Sequence, residues 1–275
     1  MADLCIAFLG DIVGRPGRRV VEQQMASLKR DHAPHLIIAN GENARSGSGL
    51  SPSILGHLRA AGIHAVTLGD HCYRDHSIVP LLEQPDAPVL RPANLARKSP
   101  GKRWIRLAPP PGFSRSVYVM TVLGRIYMPL PANDPFQCVD EVLAELPEPN
   151  PIVLVEAHME TTSEKVALAA YLKGRAAAVL GTHTHVPTAD ARVLPGGTAF
   201  ITDVGMCGPY DSIIGRETDA VLRHMTTALH MPYGVAEHGA MMCGAVVRVS
   251  ESSGRALSID RIEYRADYAS PPFRT

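Results

Sequence analysis

Five apolar runs in this chain each stop at a short turn loaded with carboxylate, amide or imidazole side chains. LCIAFLG runs into Asp11, LIIANG into Glu42 and Asn43, and AVTLG into Asp70 and His71. IVLVEA runs into His158, and AAVLGT into His183 and His185. Short, almost uninterrupted apolar runs read as strands buried on both faces. Amphipathic stretches lie between them: Arg15 to Arg30 carries Val20, Val21, Met25 and Leu28 at helical spacing. Strands alternating with helices indicate βαβ units and a parallel sheet. In such sheets ligands sit beyond the carboxyl ends of the strands, so the polar turns are predicted to meet in one crevice.

The rest of the chain fills in around this frame. The pattern predicts strands over Leu4 to Leu9, Leu36 to Ala39, Ala65 to Leu68, Ile152 to Glu156 and Ala177 to Leu180. Ser51-Pro52 starts a helix with serine as N-cap and proline in the first turn. Thr161 and Glu164 fit a capping box ahead of a helix through Leu172. In the proline-rich middle, Val117 to Val122 and Arg125 to Met128 read as paired strands around Leu123-Gly124. Later come strands over Thr198 to Thr202, Ala245 to Ser250 and Ile259 to Tyr264, with a helix near Glu217 to Ala228. The expectation is two packed sheets, parallel-rich then mixed, with helices outside. No Ser/Gly-rich or charged linker divides the 275 residues, and 45% are hydrophobic. One domain spanning 1–275 is expected, with a core large enough to need no disulfides.

Charge and cysteine usage narrow the setting. The 27 basic and 27 acidic residues cancel. That balance offers no broad attraction for RNA or an anionic membrane. The first residues read as a strand, not a signal peptide, and no apolar stretch nears the roughly 18 residues of a membrane span. The five scattered cysteines, with no CxxC pair, imply reduced thiols and a cytoplasmic protein.

The polar turns supply eight groups: Asp11, Glu42, Asn43, Asp70, His71, His158, His183 and His185. Each has an ordinary reading by itself: a helix cap for Asp11, a turn for Glu42-Asn43 or Asp70-His71, a satisfied core histidine for His158. Two histidines at i, i+2 beside a glycine are less ordinary, and five such turns at five strand ends argue against coincidence. Imidazole with carboxylate and amide oxygen suits Mn²⁺, Fe²⁺/Fe³⁺ or Zn²⁺. Eight groups are too many for one ion and enough for two, which roughly 3.5–4 Å apart can clamp a phosphoryl oxygen. The other histidines, His76 among them, are assigned to surface or packing. GDIVGRPG lacks the GK[ST] end of a phosphate-binding loop, and no GxSxG elbow is present.

These motifs carry a resemblance. The early Gly-Asp, NGENA, GDHCYRD, RPAN, HMETTSEK, GTHTHVPTAD and ITDVGMCGPYDSIIG resemble the calcineurin-like metallophosphoesterase superfamily, and within it the YmdB-type bacterial metal-dependent phosphodiesterases. The likeness runs from Ile6 to about Ile262. It implies an α/β fold, the four-layer α/β/β/α sandwich of that superfamily, around two metal ions. Iron or manganese comes first, with zinc as the alternative. Asp11, Glu42, Asn43 and His185 would serve one ion. Glu42, Asp70, His158 and His183 would serve the other, with Glu42 bridging. His71 matches the catalytic histidine that protonates the leaving group. The implied substrates are phosphodiesters, 2′,3′-cyclic nucleotides first, and a homo-oligomer is expected.

Several expectations remain open on the sequence. Where the family has Gly-Asn-His, this chain has Gly69-Asp70-His71. An aspartate still ligates through oxygen, but its charge should hold the ion harder and make it a weaker Lewis acid. A phosphomonoesterase on the same metals, or a regulatory or RNA-associated scaffold with a weakened site, are the alternative readings. Cys72 would be open to oxidation if exposed. The start of the helix near Arg15-Pro16 is a candidate phosphate contact. Gly205 to Gly215 is a candidate substrate-facing or subunit-facing loop.

Overall fold

A computed structural model describes residues 3–266. The elements of the first sheet are β1 (Asp3–Leu9), β2 (Asp11–Ile12), β3 (Leu36–Asn40), β4 (Ala65–Thr67) and β5 (Val89–Leu90) from the first third, with β12 (Met206–Pro209), β13 (Ala240–Ser250) and β14 (Ala256–Arg265) from the last. The second sheet holds β6 (Trp104–Leu107), β7 (Val117–Leu123), β8 (Ile152–His158), β9 (Ala178–Thr182), β10 (Arg192–Leu194) and β11 (Thr198–Ile201). Helices α1 (Gly14–His32), α2 (Pro52–Ala60), α3 (Val79–Leu82), α4 (Pro135–Glu145), α5 (Thr162–Tyr171) and α6 (Thr218–Thr227) connect them.

Period-two alternation builds the layers. Leu4, Ile6 and Phe8 of β1 join Val117, Val119, Leu154 and Leu180 in a buried cluster between the sheets. Cys5, Ala7 and Leu9 face the other way, onto Val20, Met25 and Leu28 of α1 and Leu55 and Leu58 of α2. On the far side, Tyr118, Met120, Val153 and Val155 meet Val139 and Val142 of α4 and Leu168 of α5. Helix, sheet, sheet, helix is the calcineurin-like four-layer order expected from the resemblance.

The parallel strands β1, β3, β4 and β5 lie side by side, as the βαβ pattern predicts. Two features were not anticipated. The first sheet is itself mixed, because β13 pairs antiparallel with β1 and carries β14 along its other edge. And the predicted hairpin is absent: residues 125–128 form no strand. The backbone N–H groups of Arg125 and Ile126 donate to the Glu164 carboxylate (2.8 and 3.3 Å), and Tyr127 has φ 60°. The antiparallel partner of β7 is instead β6, around Trp104. Glu164 accounts for the missing hairpin. Thr161 caps its N–H, as a capping box requires, but its carboxylate serves the 125–126 turn.

Candidate metal centre and active site

All eight candidate groups come to the carboxyl ends of β1, β3, β4, β8 and β9, where the two sheets abut. Asp11 begins β2, which pairs with β12. His158 closes β8, and His183 and His185 follow β9. One ligand atom each from Glu42, Asp70, His158 and His183 lie within 4.8 Å of one another. His158 Nε2 is 3.2 Å from Glu42 Oε1, 3.1 Å from Asp70 Oδ1 and 3.2 Å from His183 Nδ1. A second group adjoins it. Asn43 Nδ2 lies 3.4 Å from Glu42 Oε1 and 3.3 Å from His185 Nε2, and His185 Nε2 is 3.8 Å from Asp11 Oδ1.

The surroundings decide which ring nitrogens face inward. Thr182 Oγ1 donates to Glu156 Oε1 (2.7 Å), so His158 Nδ1–H donates to Thr182 (2.9 Å) and Nε2 is the nitrogen turned to the carboxylates. His185 Nδ1–H donates to the Ile214 carbonyl (2.9 Å), again freeing Nε2. His183 Nε2 faces Glu160 Oε2 at 3.2 Å, which leaves Nδ1 for the cluster. A histidine whose outer nitrogen is engaged and whose inner lone pair meets carboxylates is the arrangement metal sites use. Glu156 is held by Asn40 Nδ2 and Thr121 Oγ1, both at 2.7 Å.

Without a cation, the same carboxylates favour a proton on the inward nitrogen of His158, the position a cation would take. Burial, with Glu42, Asp203 and Glu156 adding to it and His158 opposing, pushes the Asp11 carboxyl up to about 7. Burial alone would lower the His158 pKa, but Glu42 and Asp70 raise it well above the usual histidine value. Against burial, His158 and His183 hold Asp70 below the carboxylate range. Asp11 Oδ1 is buried with no hydrogen-bond partner. Buried carboxylates around inward-facing imidazole lone pairs, with an orphaned carboxylate oxygen, fit di- or trivalent cations of the Mn, Fe or Zn type.

His71 sits at the rim with its side chain 25% exposed. Its backbone N–H donates to Glu42 Oε2 (2.9 Å) and its Nδ1–H to Asn43 Oδ1 (2.7 Å), leaving Nε2 without a hydrogen-bond partner, 3.7 Å from Asp70 Oδ2.

The structure bears on three open expectations. Cys72 is buried, and burial beside Glu42 and Asp70 pushes its thiol up to about 12, so it is not an oxidation-prone surface thiol. The N-terminus of α1 is committed to structure: Gly14 N–H donates to the Asn43 carbonyl, Pro16 has no N–H, Gly17 donates to Val13, and Arg15 is exposed. The 205–215 segment includes β12, and its Ile214 carbonyl orients His185. His76 is exposed.

Residues missed in the sequence are those behind the ligands: Asn40, Glu156, Thr182, Glu160, Lys165 and Asp203. A visible signal existed for Glu156, a lone carboxylate inside the apolar run IVLVEAH.

The sequence profile of the YmdB-like protein family matches residues 7–262. This chain belongs to the YmdB-like family. A relative, the 2′,3′-cyclic-nucleotide 2′-phosphodiesterase of Bacillus subtilis (strain 168), is 41% identical over 264 residues, covering 96% of this chain and 98% of that protein. A hypothetical protein from Thermus thermophilus has a similar crystal structure (TM-score 0.88, 42% identity, 95% of this chain and 99% of that one). So does a novel phosphatase from Mycoplasma pneumoniae (TM-score 0.88, 29% identity, 96% and 94%). The likeness to YmdB-like relatives therefore covers both sheets and every strand end that carries a candidate group.

Proposed function

We propose that this protein is a two-metal phosphodiesterase that opens 2′,3′-cyclic nucleotides at the 2′ ester. The observation that carries the reading is the convergence of Glu42, Asp70, His158 and His183 within 4.8 Å. The 41% identity to a 2′,3′-cyclic-nucleotide 2′-phosphodiesterase supports the substrate class. In this reading Glu42, Asp70, His158 and His183 hold one ion, and Asp11, Glu42, Asn43 and His185 hold the other. Bound there, such ions supply a water-derived nucleophile near neutral pH and offset charge on the phosphoryl oxygens.

The chain's own groups do the rest. The Glu156–Thr182 relay fixes the His158 tautomer, and the Ile214 carbonyl fixes that of His185. Asn43 accepts from His71 Nδ1, so a protonated His71 keeps its second N–H, at Nε2, for the substrate. From that atom the proton passes to the departing ribose oxygen as the P–O2′ bond breaks and the water oxygen bonds to phosphorus, leaving a 3′-phosphate.

The setting proposed is cytoplasmic, with one domain carrying the whole site. All five cysteines are free and buried, as suits a reducing compartment, and no helix among the described residues is long and apolar enough to cross a membrane. A homo-oligomer is part of the proposal, and light scattering on the purified protein tests it.

The test of function is hydrolysis of 2′,3′-cAMP by protein reconstituted with Mn²⁺ or Fe²⁺, with a phosphomonoester assayed beside it. Release of the 3′-monophosphate, faster than monoester turnover, is expected. Faster monoester turnover would replace this reading with a phosphomonoesterase. Tight cation binding without turnover of either ester would favour the scaffold.

A further inference from the structure

A buried ion pair lies under the loop that carries two of the candidate ligands. Lys165 of α5 and Asp203, which follows β11, are both fully buried, with Nζ 2.7 Å from Oδ2. The same Oδ2 accepts from the backbone N–H (3.1 Å) and the hydroxyl (2.8 Å) of Thr184, the residue between His183 and His185. Oδ1 accepts from Gly205 N–H at 2.9 Å. Asp203 also exchanges backbone bonds with Thr188 at the loop's far end: its N–H donates to Thr188 Oγ1 and its carbonyl accepts from Thr188 N–H, both 3.0 Å.

The loop needs holding. His183 has φ 93° and His185 φ 65°, a region costly for residues with a Cβ. Such conformations persist only where the surroundings over-determine them. A buried ion pair, for its part, is rarely the most stable filling for its volume, since well-packed apolar side chains often do as well or better. Fold stability is therefore a poor reason for this pair, whereas its partner Thr184 stands one residue from each histidine.

We propose that Lys165 and Asp203 are positioning residues, a buried clamp that holds the 183–185 loop with His183 Nδ1 and His185 Nε2 turned into the metal centre. Lys165 fixes Asp203, and Asp203 fixes Thr184. The clamp touches neither substrate nor ion. It sets cation affinity by keeping the strained loop in its binding geometry before the ion arrives. This inference rests on the two-metal reading.

The experiment titrates chelator-stripped wild type, Lys165→Met and Lys165→Arg with Mn²⁺ by calorimetry and records the melting of each stripped protein. Lys165→Met is expected to lose at least about 10-fold in Mn²⁺ affinity, the usual scale for groups that orient ligands, with Lys165→Arg recovering most of it. A folded Lys165→Met that binds Mn²⁺ within twofold of wild type, however much its melting falls, would reduce the pair to a structural role. Amide exchange in the stripped wild type needs no variant to fold: the Thr184 N–H should be protected like the strand residues of β9, and open exchange there overturns the clamp. Wild type that binds no Mn²⁺ would sink the two-metal reading itself, and the clamp with it. That result is read from wild type alone, so the two failures are distinct.

Discussion

His71 Nδ1 lies 2.7 Å from Asn43 Oδ1, so the histidine at the rim is oriented by a residue assigned to the metal centre beside it. The contact couples two turns that come from different strands, after β3 and after β4. It engages Nδ1 and leaves Nε2 as the ring nitrogen free to donate to a substrate.

His71→Ala should therefore slow hydrolysis of 2′,3′-cAMP by about 10²–10⁴-fold, the range for lost general-acid help. A nitrophenyl diester, whose leaving group needs no proton, should be slowed far less. Comparing the two substrates checks the assignment, and equal losses on both would count against proton donation.

Glu156→Gln should weaken cation binding by about 10–100-fold, because the relay through Thr182 then no longer ends in a carboxylate. Mn²⁺ calorimetry on the stripped protein reads this directly. Unchanged affinity would mean that His158 is oriented by packing alone.

Asp70→Asn removes one negative charge from a cluster that already includes Glu42 and Asp11. Cation affinity should fall by about one order of magnitude or less, while turnover at saturating Mn²⁺ should rise, because an ion with fewer anionic ligands is the stronger Lewis acid. A variant with lower turnover at saturating metal would show that the carboxylate itself serves the reaction.

Asp190 yields a pH prediction away from the site. Burial opposes its ionisation, yet hydrogen bonds from Thr188 and Thr202, and from Arg192, lower its carboxyl to about 2. A folded pKa below the unfolded value stabilises the protein above about pH 4, and that contribution disappears as pH falls through about 2. Asp190→Asn should cost about 1 kcal/mol at pH 7, discounted for partial exposure. The gap between variant and wild type should close between pH 4 and 2. Denaturant titrations across that range check it, and a gap that stays constant would refute the linkage.

Much of the candidate site is legible in the sequence. Asp11, Glu42, Asn43, Asp70, His71, His158, His183 and His185 stand where strands end, and a parallel α/β sheet brings such ends together by topology alone. The long buried strands and amphipathic helices followed from periodicity, because burial on one face or both leaves its mark residue by residue, whereas β6, β12 and α4 did not. Tertiary structure decided what local pattern does not encode. Glu164 uses its carboxylate on a distant turn, so 125–128 is a loop, and β7 pairs instead with β6 from an earlier part of the chain. Glu156, Asp203 and Lys165 look like stray charges in the sequence, because the side chains they bind lie 15 or more positions away. The direction in which each imidazole presents its lone pair is likewise set by an acceptor that only the folded chain brings near. The candidate ligands are thus written locally in the chain, whereas their orientation depends on contacts between segments far apart in it.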